Sequence, residues 1–441
     1  MYNINKYDIV FFNSPIYRVS TDDGEDYLPP LGQGYIVSNL LRQGIRACII
    51  DCVQDRLGIE EISDLINNSK VLNVAFNVFS INMDLLNSIV EKVKRKVNFY
   101  IGGKAVEYIW REMSTWNWGE KRVVYMIGEC DWIYYDILQG KSKEAPIYSC
   151  NNQKAYLVTP KSVYYPNDLN KCILDRSLFK NRYIQNHYGR FEGCIITSRG
   201  CWYNCAFCGG SRYANPELTV RTSSEASIIR EINNLLVIDP EINSIRILDD
   251  LFLKDRKSIL KAVAIFKKFP NIHWRCMAHI NTFKNTKDLL IPLKQCGCDE
   301  IFIGIESGSQ VIRERIHKLG SVEEILSICE EILSAGIDIK GYFICGFPHE
   351  TKNQMDETVY LAHRLKQMSY NKRGKFRATA FQFRPYHGTE IYDKLIKEEI
   401  KMGDFEIGNN TSSKKQYSFV AGNFSEVEDE YIKKCINNIV E

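Results

Sequence analysis

The chain has 441 residues, 45% of them hydrophobic and 12% aromatic, enough apolar material for two or three packed domains, which excludes a disordered or fibrous chain. Its 57 Lys and Arg stand against 54 Asp and Glu, a net charge of +3, so the overall balance asks for neither a nucleic-acid nor a membrane partner. Fifteen cysteines are scattered through apolar segments, the first residues (MYNINK) lack a signal peptide's basic region, and no apolar run reaches a membrane span; together these predict a reducing, cytoplasmic setting.

Residues 1–140 alternate short apolar strands with amphipathic helices. The pattern predicts strands over 8–13, 46–51, 71–79, 98–101 and 123–127, with helices over 32–42, 59–67 and 84–96. Such alternation indicates α/β architecture with a doubly wound parallel sheet. Ligands in these sheets lie beyond the carboxyl ends of the strands, at the topological switch point. The small and polar residues expected there are Asn13, Ser14 and Pro15, then Asp51, Ser80 and Asn82, then Gly102 and Gly103, and finally Gly128 and Glu129.

Residues 141–190 read as a connector, rich in Pro, Asn and Tyr and low in Gly and Ser, with one short strand over 155–159. From residue 191 to 400 the alternation resumes with a longer period. Strands are expected over 193–198, 244–248, 273–278, 300–305, 338–345 and 376–383, each followed by a helix: 223–237, 255–268, 287–295, 322–335, 351–368 and 389–399. Six strand-helix units predict a partial (β/α)6 barrel, whose chemistry belongs at the carboxyl ends of its strands. A tail over 401–441 ends in a helix expected over 426–440.

At the end of the first of these six strands stands Cys201-Trp202-Tyr203-Asn204-Cys205-Ala206-Phe207-Cys208. Three thiols spaced C-x3-C-x2-C meet one small object only where the backbone wraps it as a loop. A 4Fe-4S cluster is ordinarily held by four cysteines, so three leave one iron open for another ligand. A zinc knuckle is the alternative, but zinc sites present four ligands as paired motifs, and no second pair follows at short range. Cys276, Cys296, Cys298, Cys329 and Cys345 lie in apolar contexts and read as core thiols.

The C-x3-C-x2-C loop, with Phe207 before its last cysteine, resembles that of the radical S-adenosylmethionine (SAM) superfamily, whose fold is the partial barrel and whose open iron chelates SAM. The run from Leu28-Pro29-Pro30-Leu31-Gly32 through Asp51, Ser80, Asn82, Gly102-Gly103 and Gly128-Glu129 resembles the cobalamin-binding domain that precedes many such enzymes. The Asp-x-His-x-x-Gly motif that supplies an axial histidine in other cobalamin proteins is absent here, as it is in many radical SAM relatives. The resemblance implies metal ligation by Cys201, Cys205 and Cys208. It implies SAM contacts from Asp249 and Asp250, Arg275, Glu306 and Ser307, and Gly346 and Pro348, and a cobalamin pocket at Ser14, Pro15, Ser80, Asn82, Gly102, Gly103, Gly128 and Glu129.

The function so implied is reductive cleavage of SAM to a 5'-deoxyadenosyl radical and cobalamin-dependent methylation of an unactivated carbon of a small metabolite or peptide. Epimerisation, dehydrogenation or rearrangement without methyl transfer stays open, as does a non-catalytic cobalamin or redox sensor. The implied electron donor is a flavodoxin or ferredoxin. No residue is assigned to hydrogen-atom or proton transfer.

Overall fold

The computed structural model describes residues 2–15, 27–79, 82–141, 155–158, 166–180, 183–398 and 422–441. The chain divides into two compact units, with the boundary just before Tyr183.

In the first unit the elements run β1 (Ile9–Asn13), α1 (Leu31–Arg42), β2 (Ala47–Asp51), α2 (Ile59–Asn67), β3 (Asn73–Asn77), α3 (Met83–Lys92), β4 (Asn98–Gly102), α4 (Val106–Met113), β5 (Arg122–Met126), α5 (Ile133–Leu138) and β6 (Ala155–Val158). The six strands form one parallel sheet in the order β2-β1-β3-β4-β5-β6. Alternation along β1 explains the winding. Ile9 and Phe11 pack with Val37 and Leu40 of α1 and Ile133 and Tyr134 of α5, whereas Val10 and Phe12 pack with residues of α2, α3 and α4. Helices therefore cover both faces, and the order reverses between β1 and β3, which sets the switch point there. The strand expected within the connector is β6, a parallel edge of this sheet.

The second unit opens with an antiparallel pair, β7 (Tyr183–Gln185) and β8 (Phe191–Ile195), then β9 (Ser198–Arg199), β10 (Arg221–Thr222), α6 (Glu225–Ile238), β11 (Ser244–Ile247), α7 (Arg256–Phe266), β12 (His273–Ala278), α8 (Leu290–Gln295) and β13 (Cys298–Glu306). It continues with α9 (Gln310–Arg315), α10 (Val322–Ser334), β14 (Asp338–Cys345), α11 (Lys352–Tyr370), β15 (Phe376–Gln382), α12 (Glu390–Lys397) and α13 (Asp429–Val440). The main sheet has the order β15-β14-β13-β12-β11-β8-β7. Its six parallel strands are the curled half-barrel expected from the sequence, and β7 is an unexpected seventh.

Each strand divides its residues between two environments. Ile245, Trp274, Ile301, Ile339 and Ala380 join the helices in one large apolar core, and Ile432, Cys435 and Ile439 of α13 enter that same core. The other face carries charge. Arg275 of β12 binds both Glu192 of β8, at 2.5 and 2.7 Å, and Glu300 of β13 at 3.0 Å. Arg377 of β15 closes on the second oxygen of Glu300 at 2.5 Å. These ion pairs clamp four strands together with their charges matched, as burial demands.

Candidate functional site

The cysteine loop starts where β9 ends, and Gly200 takes φ +92°, a turn that a side chain would strain. Cys208 N–H bonds to the Cys205 carbonyl at 3.0 Å, and the Ser211 N–H to the Cys208 carbonyl at 3.0 Å, so the second half is a run of tight turns. Asn204 accepts the Tyr213 N–H at 2.7 Å, and Asn215 donates to the Gly209 and Ser211 carbonyls. The loop is also stitched outward. Ala206 donates to the Ile316 carbonyl at 3.0 Å and accepts from the Ile391 N–H at 3.1 Å, while Phe207 meets Phe347 edge to face.

Cys201, Cys205 and Cys208 are in no disulfide among the described residues. Burial raises the pKa of Cys201 and takes that of Cys205 to about 11, with Lys318 pulling both back down. The donor set fits an iron-sulfur cluster: three thiols in one preformed loop, mutually close enough to feel each other's charge, with a buried cation beside them to offset anionic ligands. Among the described residues no three His, Cys, Asp or Glu side chains close on a single point as one metal ion requires. A cluster presents its irons at separate corners and does not impose that convergence.

The structure sorts the remaining expected SAM contacts. Asp250 is exposed beside the loop, and its charge acts on Cys201. Asp249 is 2% exposed, and its oxygens accept from the Thr197 N–H and from the Thr197 and Ser198 hydroxyls, each at 2.6 Å. Those bonds spend the carboxylate on positioning the strand end that launches the cysteine loop. Arg275 is engaged likewise. It sits mid-strand, 1% exposed, inside the ion-pair clamp, where two glutamates take the guanidinium that a ligand carboxylate was expected to use.

Glu306 ends β13 with φ +69°, at an irregularity in the pairing with β14. A non-glycine residue in that conformation is strained, and such strain gathers at functional sites. Its Oε1 is 3.2 Å from the Nζ of buried Lys318. Attraction from Glu306 and Cys205 outweighs burial and raises the lysine pKa. Arg313, also buried, donates to the carbonyls of Ile305, Ser307, Leu319 and Gly320 and so ties both sides of this turn together. Neither cation is conspicuous in the sequence: Arg313 lies within α9, and Lys318 stands in the HKLG turn that begins two residues beyond it.

Ser307 is wholly buried, with its hydroxyl between the Thr358 hydroxyl, at 3.0 Å, and the Ser309 N–H, at 3.1 Å. It builds the turn. Gly346 (φ +89°) gives its N–H, with that of Phe347, to one oxygen of Glu350, at 2.6 and 3.0 Å. Pro348 accepts from Arg315 at 2.7 Å. The Gly346–Glu350 turn is thus a self-contained cap beside the loop, held further by Phe424, whose carbonyl takes the His349 N–H.

In the first unit the carboxyl ends of β1, β2 and β3 carry a polar net. Asn13 donates to Asp51 at 2.8 Å and accepts from Asn77 at 2.9 Å, and Asn77 also accepts the Ser14 N–H at 2.6 Å. Asn77, which ends β3, is the member that sequence reading missed. The Ser14 hydroxyl is buried without a partner among the described residues, as a site awaiting a polar ligand would have it. Asn82 accepts the Phe79 N–H at 2.8 Å and reaches the Pro15 carbonyl at 3.4 Å. Gly102 gives its carbonyl to the Val78 N–H at 2.7 Å. Gly103 is glycine for the backbone's sake: at φ +110° a Cβ would stand 2.3 Å from the Val78 carbonyl oxygen. Gly128 (φ +81°) is exposed, with Glu129 half-buried beside it, and Ser80 lies outside the described residues.

Comparison with known proteins adds to this geometry. Residues 195–362 match the profile of the Radical SAM superfamily. The chain is 29% identical over 209 residues to an uncharacterized methyltransferase of Pyrococcus horikoshii, covering 47% of this chain and 43% of that protein. It is 25% identical over 226 residues to the cytidylyl-2-hydroxyethylphosphonate methyltransferase of Streptomyces wedmorensis, covering 50% and 41%. The chain thus spans less than half the length of these relatives. Among solved structures, the cobalamin-dependent SAM radical enzyme OxsB, with aqua-cobalamin and SAM bound, superposes with a TM-score of 0.68 at 14% identity, over 97% of this chain and 65% of that one. The radical SAM methyltransferase TsrM of Kitasatospora setae, with cobalamin and a 4Fe-4S cluster bound, gives 0.63 at 14% identity, over 89% and 78%. At such identities the likeness is one of fold, and it extends through both units. No described helix is long and apolar enough to cross a membrane.

Proposed function

We propose, taking residues 195–362 as a radical SAM domain, that the chain is a cobalamin-dependent radical SAM methyltransferase acting on an unactivated carbon of a small metabolite or peptide. The observation that carries this reading is the preformed three-cysteine loop, with its buried lysine, in a chain whose fold follows OxsB and TsrM through both units. The methyltransferase relatives support the same choice over a radical outcome without methyl transfer. When bound, a 4Fe-4S cluster with SAM supplies a 5'-deoxyadenosyl radical, and cobalamin supplies a methyl group to transfer.

In this reading Cys201, Cys205 and Cys208 hold the cluster, and Asp249 fixes the strand end from which they emerge. The exposed carboxylate of Asp250 stands ready for the methionyl ammonium, and the Lys318–Glu306 pair balances charge next to Cys205. Carboxylates suit a cationic ammonium because they only accept hydrogen bonds when ionised. Ser14 and Asn82 offer polar groups to cobalamin at the switch point, and Gly102, Gly128 and Glu129 border the same strand ends. A flavodoxin or ferredoxin is the proposed electron donor.

The test is anaerobic reconstitution of the purified chain with iron, sulfide and methylcobalamin, followed by reduction with SAM and candidate substrates. Both S-adenosylhomocysteine and 5'-deoxyadenosine are expected by mass spectrometry. Protein that cleaves SAM yet takes up no form of cobalamin would sink the methyl-transfer reading while leaving the radical chemistry standing.

A further inference from the structure

His279 follows the last residue of β12 and is 5% exposed. Its ring lies against that of Tyr203, with centroids 3.9 Å apart and planes 21° from parallel. Tyr203 stands between Cys201 and Cys205, so the histidine is packed onto the cysteine loop itself. Its Nδ1 is 3.1 Å from the Asn281 backbone N–H and caps the short turn Ile280–Phe283. A ring nitrogen that accepts a hydrogen bond carries no hydrogen, so a neutral imidazole here bears its hydrogen on Nε2. The ring does stay neutral: burial first, then the charges of Lys318, Arg313 and Lys284, push its pKa down to about 2.

Nε2 is therefore a buried donor, and it has no hydrogen-bond partner among the described residues. Two residues on, the Asn281 side-chain oxygen is likewise buried and unpartnered. Buried polar groups are rarely left unpaired, and one turn that leaves two is a turn completed by something else. The position supports a ligand of the cysteine loop, because the ring packs on that loop and the nearby cations Lys318 and Arg313 favour an acceptor.

We propose that His279 is a ligand-contact residue whose Nε2–H donates to an acceptor oxygen of the SAM held at the cysteine loop. The inference rests on the functional reading above and adds to it a residue that the C-x3-C-x2-C motif does not contain. Asn281 accepts in return from a hydroxyl or ammonium of the same ligand.

Two substitutions separate the donor from the cap. H279N keeps an acceptor for the Asn281 N–H and removes the donor at the Nε2 position; H279Q places an amide N–H near that position. The full-length protein is reconstituted anaerobically, its iron and sulfide are counted, and SAM binding is measured by equilibrium dialysis without turnover. Both variants are expected to hold wild-type iron and sulfide. The Kd for SAM should rise roughly ten-fold in H279N, the size of one lost hydrogen bond to a buried partner, and stay close to wild type in H279Q. Equal SAM affinity in H279N and wild type overturns the proposal alone, as does an equal loss in both variants, which would indicate ring stacking rather than donation. Wild-type protein that holds its iron yet binds no SAM overturns both this inference and the functional reading.

Discussion

At the scale of single residues, the site separates groups that would touch a ligand from groups that only look as if they should. Cys205 belongs to the first kind. C205A is expected to lower reconstituted iron to background and abolish 5'-deoxyadenosine formation, with circular dichroism unchanged, because the loop's backbone bonds do not involve the thiol. Glu350 belongs to the second. One of its oxygens accepts two backbone N–H groups and the other is buried without a partner among the described residues, and burial lifts its pKa to about 7. A carboxyl whose folded pKa lies above its unfolded value binds more protons when folded, so its contribution is full below about pH 4.5 and fades as pH rises through 7. Wild-type protein should therefore lose stability across that window, and E350Q should flatten the slope in denaturant titrations taken at each pH. An unaltered slope would remove Glu350 as the titrating group.

At the scale of elements, the strands of the second unit were largely legible: His273–Ala278 and Asp338–Cys345 coincide with their expected bounds, because β-branched and aromatic runs alternate with capped helices. What escaped has physical reasons. α4 carries Tyr108 and Trp110 in eight residues, a composition with weak helix propensity, and α5 has only six residues. β7 is three residues long, too short for a period to register. Site residues were less legible than strands, because a motif reports residue type and not direction. Arg275 looks like a carboxylate clamp in sequence and proves to be one, but its carboxylates are Glu192 and Glu300.

Removing Arg275 leaves buried Glu192 without its cation, while Glu300 keeps Arg377, so R275M is expected to destabilise the fold by about 3–5 kcal/mol in urea unfolding, with the SAM affinity of the folded fraction unchanged. A selective loss of SAM affinity would restore Arg275 to the ligand set. Gly308 gives a second element-scale test. A Cβ there would stand 2.3 Å from the Glu357 carbonyl oxygen, so G308A must push α11 away from the turn after β13. That backbone clash is expected to cost roughly 2–4 kcal/mol, and a variant as stable as wild type would contradict the packing.

At the scale of the whole molecule, the two units make separable predictions because each carries its own candidate pocket. Reconstitution with cluster and SAM should slow amide exchange around residues 199–212, 279–283 and 306–320. Cobalamin should instead slow it around 13–15, 77–79 and 102–106. Cobalamin protection confined to the second unit would count against the assignment of Ser14 and Asn82.

The cysteine loop's backbone stitching carries one last consequence. Ala206 is tied through its N–H to Ile316 and through its carbonyl to Ile391, bonds that need no metal. A socket braced in this way keeps its form when empty. If oxygen strips the inorganic core, what remains is an intact mould rather than an unravelled segment, and recovery becomes a matter of resupply: iron and sulfide return to a waiting cast, and the chain need not fold a second time.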